Sequence, residues 1–137
     1  MYEFNYAKAS SVDEAKQLHG GAEDPKYMSG GMTLLPTLKM RLAKPSDVID
    51  LAGISELVGI EVTADTVTIK AMTPHAVVAA DADVQKAIPA LAKLAGGIGD
   101  PMVRNRGTIG GSLANNDPAA DYPAAVTGLG ATIHTDK

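Results

Sequence analysis

With 137 residues, 45% of them hydrophobic and 20% charged, the chain suits one folded domain that buries about two-thirds of its unfolded surface. A net charge of −4 argues against the broad basic surface that nucleic acid requires, and no apolar run approaches the roughly 18 residues of a membrane span. The chain has no cysteine, which excludes disulfides, thiolate zinc sites and iron–sulfur ligation within it and fits a cytoplasmic protein. The opening MYEFNYAKAS lacks the basic-then-apolar order of a signal peptide. With no Trp and one Phe, the core must come from Val, Ile, Leu, Ala and Met.

Residues 4–7 predict a short first strand. Ser11 and Glu14 have capping-box spacing, so a helix opens there, runs to about His19 and stops at Gly20-Gly21. Residues 26–29 predict a strand ending in Gly30-Gly31. Residues 34–42 have helical apolar spacing with Pro36 in the first turn, and 48–51 predict a third strand. Residues 1–55 thus read β-α-β-α-β, a first α+β lobe.

The pattern then changes. Residues 57–63 and 66–71 alternate and are β-branched, a hairpin turning at Ala64-Asp65. Thr73-Pro74 caps and opens a helix through Ala80, and short helical runs follow at 82–87 and 89–94. After a polar stretch come an apolar run over 122–129 and a strand at 131–134. Residues 56–137 form a second α+β lobe with an antiparallel sheet. The expected strand at 131–134 has no successor, so that sheet should be incomplete at its C-terminal end, and its open edge favours self-association.

Residues 104–121, RNRGTIGGSLANNDPAAD, hold three glycines, three asparagines, two arginines and two aspartates with little apolar bulk. Such a stretch is either a solvent loop or a backbone surface shaped to a polar ligand. Two glycine segments bear on the choice. Ser29-Gly-Gly-Met-Thr33 sits between a strand and a helix, a plain βα turn or an anion site built from free amides. Thr108-Ile-Gly-Gly-Ser112 offers a second tight turn into a helical turn, and amides from both could hold a diphosphate without lysine. Neither is a P-loop, because no Gly-Lys-Ser/Thr follows. Nor is either the G-x-G-x-x-G fingerprint, whose third glycine after Gly97 and Gly99 would fall on Met102.

Asp117 and Asp121, four apart, suit a cap and a sugar-hydroxyl ligand better than acid–base catalysis. Arg104 and Arg106 suit surface salt bridges better than phosphate contacts. His19, His75 and His134 show no metal-ligand spacing, and His75 reads as structural.

Taken together, residues 29–36, Lys39-Met-Arg-Leu42 and residues 99–121 resemble the FAD-binding medium subunit of molybdenum hydroxylases, the carbon monoxide dehydrogenase type above all. The resemblance covers essentially the whole chain in order. It implies a two-lobed α+β FAD-binding domain of the vanillyl-alcohol oxidase and molybdenum hydroxylase flavoprotein type, with FAD between the lobes. It implies that Ser29, Gly30, Gly31, Met32 and Thr33 cradle the diphosphate from one lobe. Thr108, Ile109, Gly110, Gly111 and Ser112 would approach it from the other. Asp121 would fix sugar or ribityl hydroxyls, and Ile98 would lie near the flavin ring; no catalytic or metal-binding residue is implied.

The same resemblance implies an oxidoreductase complex. Electrons leave substrate at a molybdenum cofactor on a large subunit, cross [2Fe–2S] clusters on a small subunit, and reach FAD and then an acceptor. The lack of cysteine agrees with that division. Ser29 and Thr33 depart mildly from the family's Ala-Gly-Gly-x-Ser, and the family's domain continues beyond the length present here. The alternative left open is a truncated, cofactor-free module that binds a partner subunit or another nucleotide.

Overall fold

A computed structural model describes residues 1–136 and shows an α+β fold. Strand β1 (Asn5–Lys8), helix α1 (Val12–Gly20), strand β2 (Pro25–Met28), helix α2 (Leu34–Lys39) and strand β3 (Asp47–Asp50) come first. Their sheet is parallel in the order β1-β3-β2, with Ala7 and Tyr27 both opposite Ile49. Helix α1 begins where its capping signal lies: the Ser11 side chain accepts from the Glu14 amide at 3.1 Å. The Glu14 carboxylate reaches one residue further back than a capping box requires. It accepts from the amide and hydroxyl of Ser10, at 2.8 and 2.5 Å, and these bonds lower its pKa.

Small side chains bring helix and sheet together. Ala9, Ala15, Ile49 and Ile54 form a buried cluster, with Val12, Leu18, Leu51 and Leu57 packed around it. The central strand also carries the buried Asp50 carboxylate, which accepts from the Tyr6 hydroxyl at 2.7 Å and the Ala52 amide at 2.9 Å. Both bonds offset the cost of burying its charge.

A 3-10 turn at Ser55–Leu57 leads to the antiparallel hairpin of β4 (Ile60–Val62) and β5 (Val67–Ile69), which turns where the sequence places it. Six helices follow: α3 (His75–Ala80), α4 (Ala82–Ala87), α5 (Pro89–Gly97), α6 (Pro101–Arg104), α7 (Ile109–Asn115) and α8 (Asp121–Gly128). Val78, Val84, Leu91, Ala92, Ala95, Ile109 and Tyr122 make a second buried cluster, onto which Ile60, Val67 and Ile69 of the hairpin pack.

Three differences from the sequence reading have physical causes. Helix α5 continues three residues past Leu94 because Ala95 is fully buried, so packing outweighs the poor propensity of Gly96 and Gly97. Helix α6 arises inside the polar stretch, where the Asp100 side chain accepts from the Val103 amide and Pro101 occupies the first turn. The strand expected at 131–134 does not form. Gly130, at φ +63°, closes the end of α8, the Ala131 amide returns to the Val126 carbonyl at 2.9 Å, and residues 131–134 adopt no regular secondary structure. The self-association argument built on an edge at that strand loses its basis.

Thr73 does not cap α3, whose N-cap is Pro74 without a side-chain bond. Its fully buried hydroxyl instead donates to the Gly59 carbonyl at 2.9 Å and accepts from the Gly59 amide at 3.0 Å. This pair of bonds ties the entry to the hairpin to the start of α3. Thr73→Val keeps the shape but removes both bonds, and should cost about 1–3 kcal/mol in urea denaturation. Thr73→Ser should recover most of that loss.

Candidate functional site

The two glycine segments meet across the molecule. A Cβ on Gly30 would overlap the carbonyl of Arg106 and stand 2.9 Å from the Gly107 Cα. One on Gly107 would stand 2.6 Å from Nε2 of His75, and one on Gly110 would stand 2.6 Å from the Ala71 Cβ. Gly30 and Gly110 therefore let backbone pass close to backbone, and Gly107 makes room for the His75 ring. Beside them the Ser29 hydroxyl lies 2.5 Å from that of Thr108 and donates to the Met72 sulfur at 2.9 Å. Since Ser29 has one proton, Thr108 donates to Ser29; Thr108 also accepts from the Gly111 amide at 3.1 Å.

A cavity of about 750 Å³ opens at this junction. Ser29, Gly30, Gly31, Met32, Thr33, Ile98, Thr108, Gly110, Gly111, Ser112 and Asp121 all line it. Ile109 does not; its side chain is buried in the second core cluster, as an apolar residue in the first turn of α7 should be. A second depression of about 720 Å³ lies beside α1, but its lining includes Glu14, Glu23 and Asp47, which would repel a diphosphate.

The two loops differ in what their amides can do. The amides of Ile109, Gly110, Gly111 and Ser112 are spent on the Thr73 carbonyl, the Ala71 carbonyl, the Thr108 hydroxyl and the Thr108 carbonyl. Among the described residues, the amides of Gly30, Gly31, Met32 and Thr33 donate to nothing. The expectation that both loops contribute amides is thus corrected. The first loop holds the free donors, and the second contributes side chains and holds the first in place. A bulky residue at Gly111 would strike the hydroxyls of Thr108 and Ser29, so it would act on the junction between the loops.

The charged candidates are largely committed elsewhere. Among the described residues Arg104 makes no salt bridge and does not line the cavity; its Nη1 donates to the carbonyls of Ile98 and Gly99, at 3.1 and 3.0 Å. Arg106 brings its carbonyl, not its guanidinium, to Gly30. Asp117 accepts from the Ala119 amide at 2.8 Å, closing a turn, while Asp121 opens α8 at the cavity wall. Among the described residues, Lys26 is the sole lysine or arginine of the lining, and it pairs with Asp24 at 2.8 Å. No group of residues suited to a metal ion occurs among the described residues.

His75 lines the cavity as well as serving the core, which the sequence reading missed. Its ring packs on Tyr122, with centroids 5.2 Å apart, and its Nδ1 and the Tyr122 hydroxyl have no hydrogen-bond partner among the described residues. Burial pushes the Tyr122 pKa up and the His75 pKa down, with Asp121 opposing the latter. Met72 and Val103 also line the cavity; Val103 falls within residues 99–121, whereas Met72 lies outside the motifs.

The fold is an α+β domain with a cavity where two glycine loops interlock. The chain belongs to the family described as the FAD binding domain in molybdopterin dehydrogenase, which it matches over residues 2–137. It is 45% identical over 122 residues to the carbon monoxide dehydrogenase medium chain of Hydrogenophaga pseudoflava, covering 88% of this chain and 42% of that one. It is 39% identical over 132 residues to the nicotine 6-hydroxylase medium subunit of Paenarthrobacter nicotinovorans, covering 96% and 47%. Among solved structures, carbon monoxide dehydrogenase from Hydrogenophaga pseudoflava lacking the Mo-pyranopterin moiety superposes with a TM-score of 0.88 at 45% identity, covering 90% of this chain and 44% of that one. The chain spans under half the length of these relatives. No helix among the described residues is long and apolar enough to cross a membrane.

The lowered His75 pKa has a measurable consequence. Folding favours the neutral ring, so its contribution to stability is complete above the unfolded histidine value near 6.5 and is lost as pH falls toward the lower folded value. Thermal denaturation of the wild type at pH 7.5 and 5.5 should therefore show a larger loss on acidification than His75→Gln shows. Equal losses in the two proteins would count against a neutral, desolvated His75.

Proposed function

We propose that the chain is the FAD-binding part of a flavoprotein subunit in a molybdenum hydroxylase of the carbon monoxide dehydrogenase type. Its lobes are residues 1–55 and 56–137, in the manner of the vanillyl-alcohol oxidase fold, and FAD occupies the cavity between them. The observation that carries this reading is the set of amides without an acceptor at Gly30, Gly31, Met32 and Thr33, residues that line a cavity in a chain of an FAD-binding family. Bonds to a charged acceptor contribute roughly 1.5–3 kcal/mol each, so a few such amides hold a diphosphate without a lysine. Ser112 and Asp121 supply polar contacts from the other lobe, Asp121 to sugar or ribityl hydroxyls. Ile98 supplies an apolar surface for the ring system.

Bound FAD supplies a two-electron carrier. The chain's own task is to bind it, orient it and leave it able to exchange electrons with partner chains. Substrate oxidation belongs to a large subunit with the molybdenum cofactor, and [2Fe–2S] clusters on a small subunit deliver the electrons.

Competition for the site tests the reading. Titration of the purified chain should quench FAD fluorescence saturably at one FAD per chain. ADP, which carries the diphosphate, should displace FAD, whereas riboflavin, which lacks it, should not. Absence of FAD uptake, or displacement by riboflavin as readily as by ADP, would contradict the assignment.

A further inference from the structure

We propose that Arg104 is a positioning residue that holds Ile98 in place as the apolar wall of the cofactor cavity. The proposal rests on the reading of that cavity as the FAD site. Ile98 caps the C-terminus of α5 and lines the cavity while packing on the second core cluster. Immediately after it the chain turns through Gly99 at φ +51°, a conformation that other side chains rarely adopt. A Cβ at Gly99 would also stand 2.9 Å from the side chain of Val103, another cavity residue. The turn is therefore tightly packed but has no regular ladder to hold it.

Two side chains close it. The Asp100 carboxylate accepts from the Val103 amide at 2.9 Å and starts α6. At the other end of that helix, half-buried Arg104 folds back, and its Nη1 donates to the carbonyls of both Ile98 and Gly99. Hydrogen bonds from a charged donor are the stronger kind, and a guanidinium cannot lose its proton to escape them. An arginine beside a diphosphate site invites assignment as a phosphate ligand. Here it lies outside the described cavity lining, and its Nη1 serves the backbone that carries Ile98. The clasp spans residues 98–104 and fixes both apolar residues that this segment gives to the cavity.

Variants separate positioning from general support of the fold. R104Q, I98A and the double variant are compared with wild type by FAD affinity, by visible circular dichroism of bound FAD, and by melting temperature without FAD. R104Q should weaken FAD binding roughly tenfold. It should also shift the visible signal in the same direction as I98A, and the double variant should bind no worse than I98A alone. R104K should recover part of the affinity, because an ammonium reaches the carbonyls without the fork; it also carries the test should R104Q not fold. An R104Q protein with a lower melting point but wild-type affinity and wild-type signal would overturn the proposal, as would additive losses in the double variant. Failure of wild type to take up FAD would instead overturn the reading of the cavity on which the proposal rests.

Discussion

The site depends on one close approach, that of Gly30 to the backbone of Arg106 and Gly107. No side chain fits between them. The contact brings a loop from the parallel sheet against the polar stretch, and the Ser29–Thr108 hydroxyl bond closes it beside the buried Met72 sulfur. Each partner is braced from behind. Gly107 rests on the His75 ring and Gly110 on Ala71, while the Gly110 amide is bonded to the Ala71 carbonyl at 2.8 Å. The second loop spends its hydrogen-bonding capacity on staying where it is. The first loop's amides have no acceptor among the described residues, and both loops line the cavity.

The same division explains the composition of residues 104–121. Apolar bulk is scarce because backbone contact, not side-chain packing, does the joining there. Where this segment does carry a larger apolar residue, at Ile109, the side chain turns into the core. Of the charged residues described in the cavity lining, Lys26 pairs with Asp24, Asp117 closes its own turn, and Asp121 opens α8.

Much of this was legible in the sequence because it rests on short-range chemistry. Ser11 and Glu14 mark the start of α1, Ala64-Asp65 marks the hairpin, and the two glycine segments mark the loops that line the cavity. What escaped depends on distant partners. Nothing near Gly110 in sequence announces that its amide is spent on Ala71, and nothing near Arg104 announces two carbonyl acceptors. The strand expected at 131–134 failed for a similar reason, since β-branched residues make a strand only where another strand receives their hydrogen bonds. Helix α6 has a start signal in Asp100-Pro101, but its single turn is too short to show helical periodicity.

The central claim is that one loop offers free amides while the other is already committed. Amide hydrogen exchange, followed residue by residue with and without FAD, tests it most directly. Without FAD, the amides of Gly30, Gly31, Met32 and Thr33 should exchange rapidly, and those of Ile109, Gly110, Gly111 and Ser112 should be protected. Adding FAD should slow exchange in the first set and change the second little. Protection gained mainly at residues 109–112, with residues 30–33 unaffected, would contradict the account.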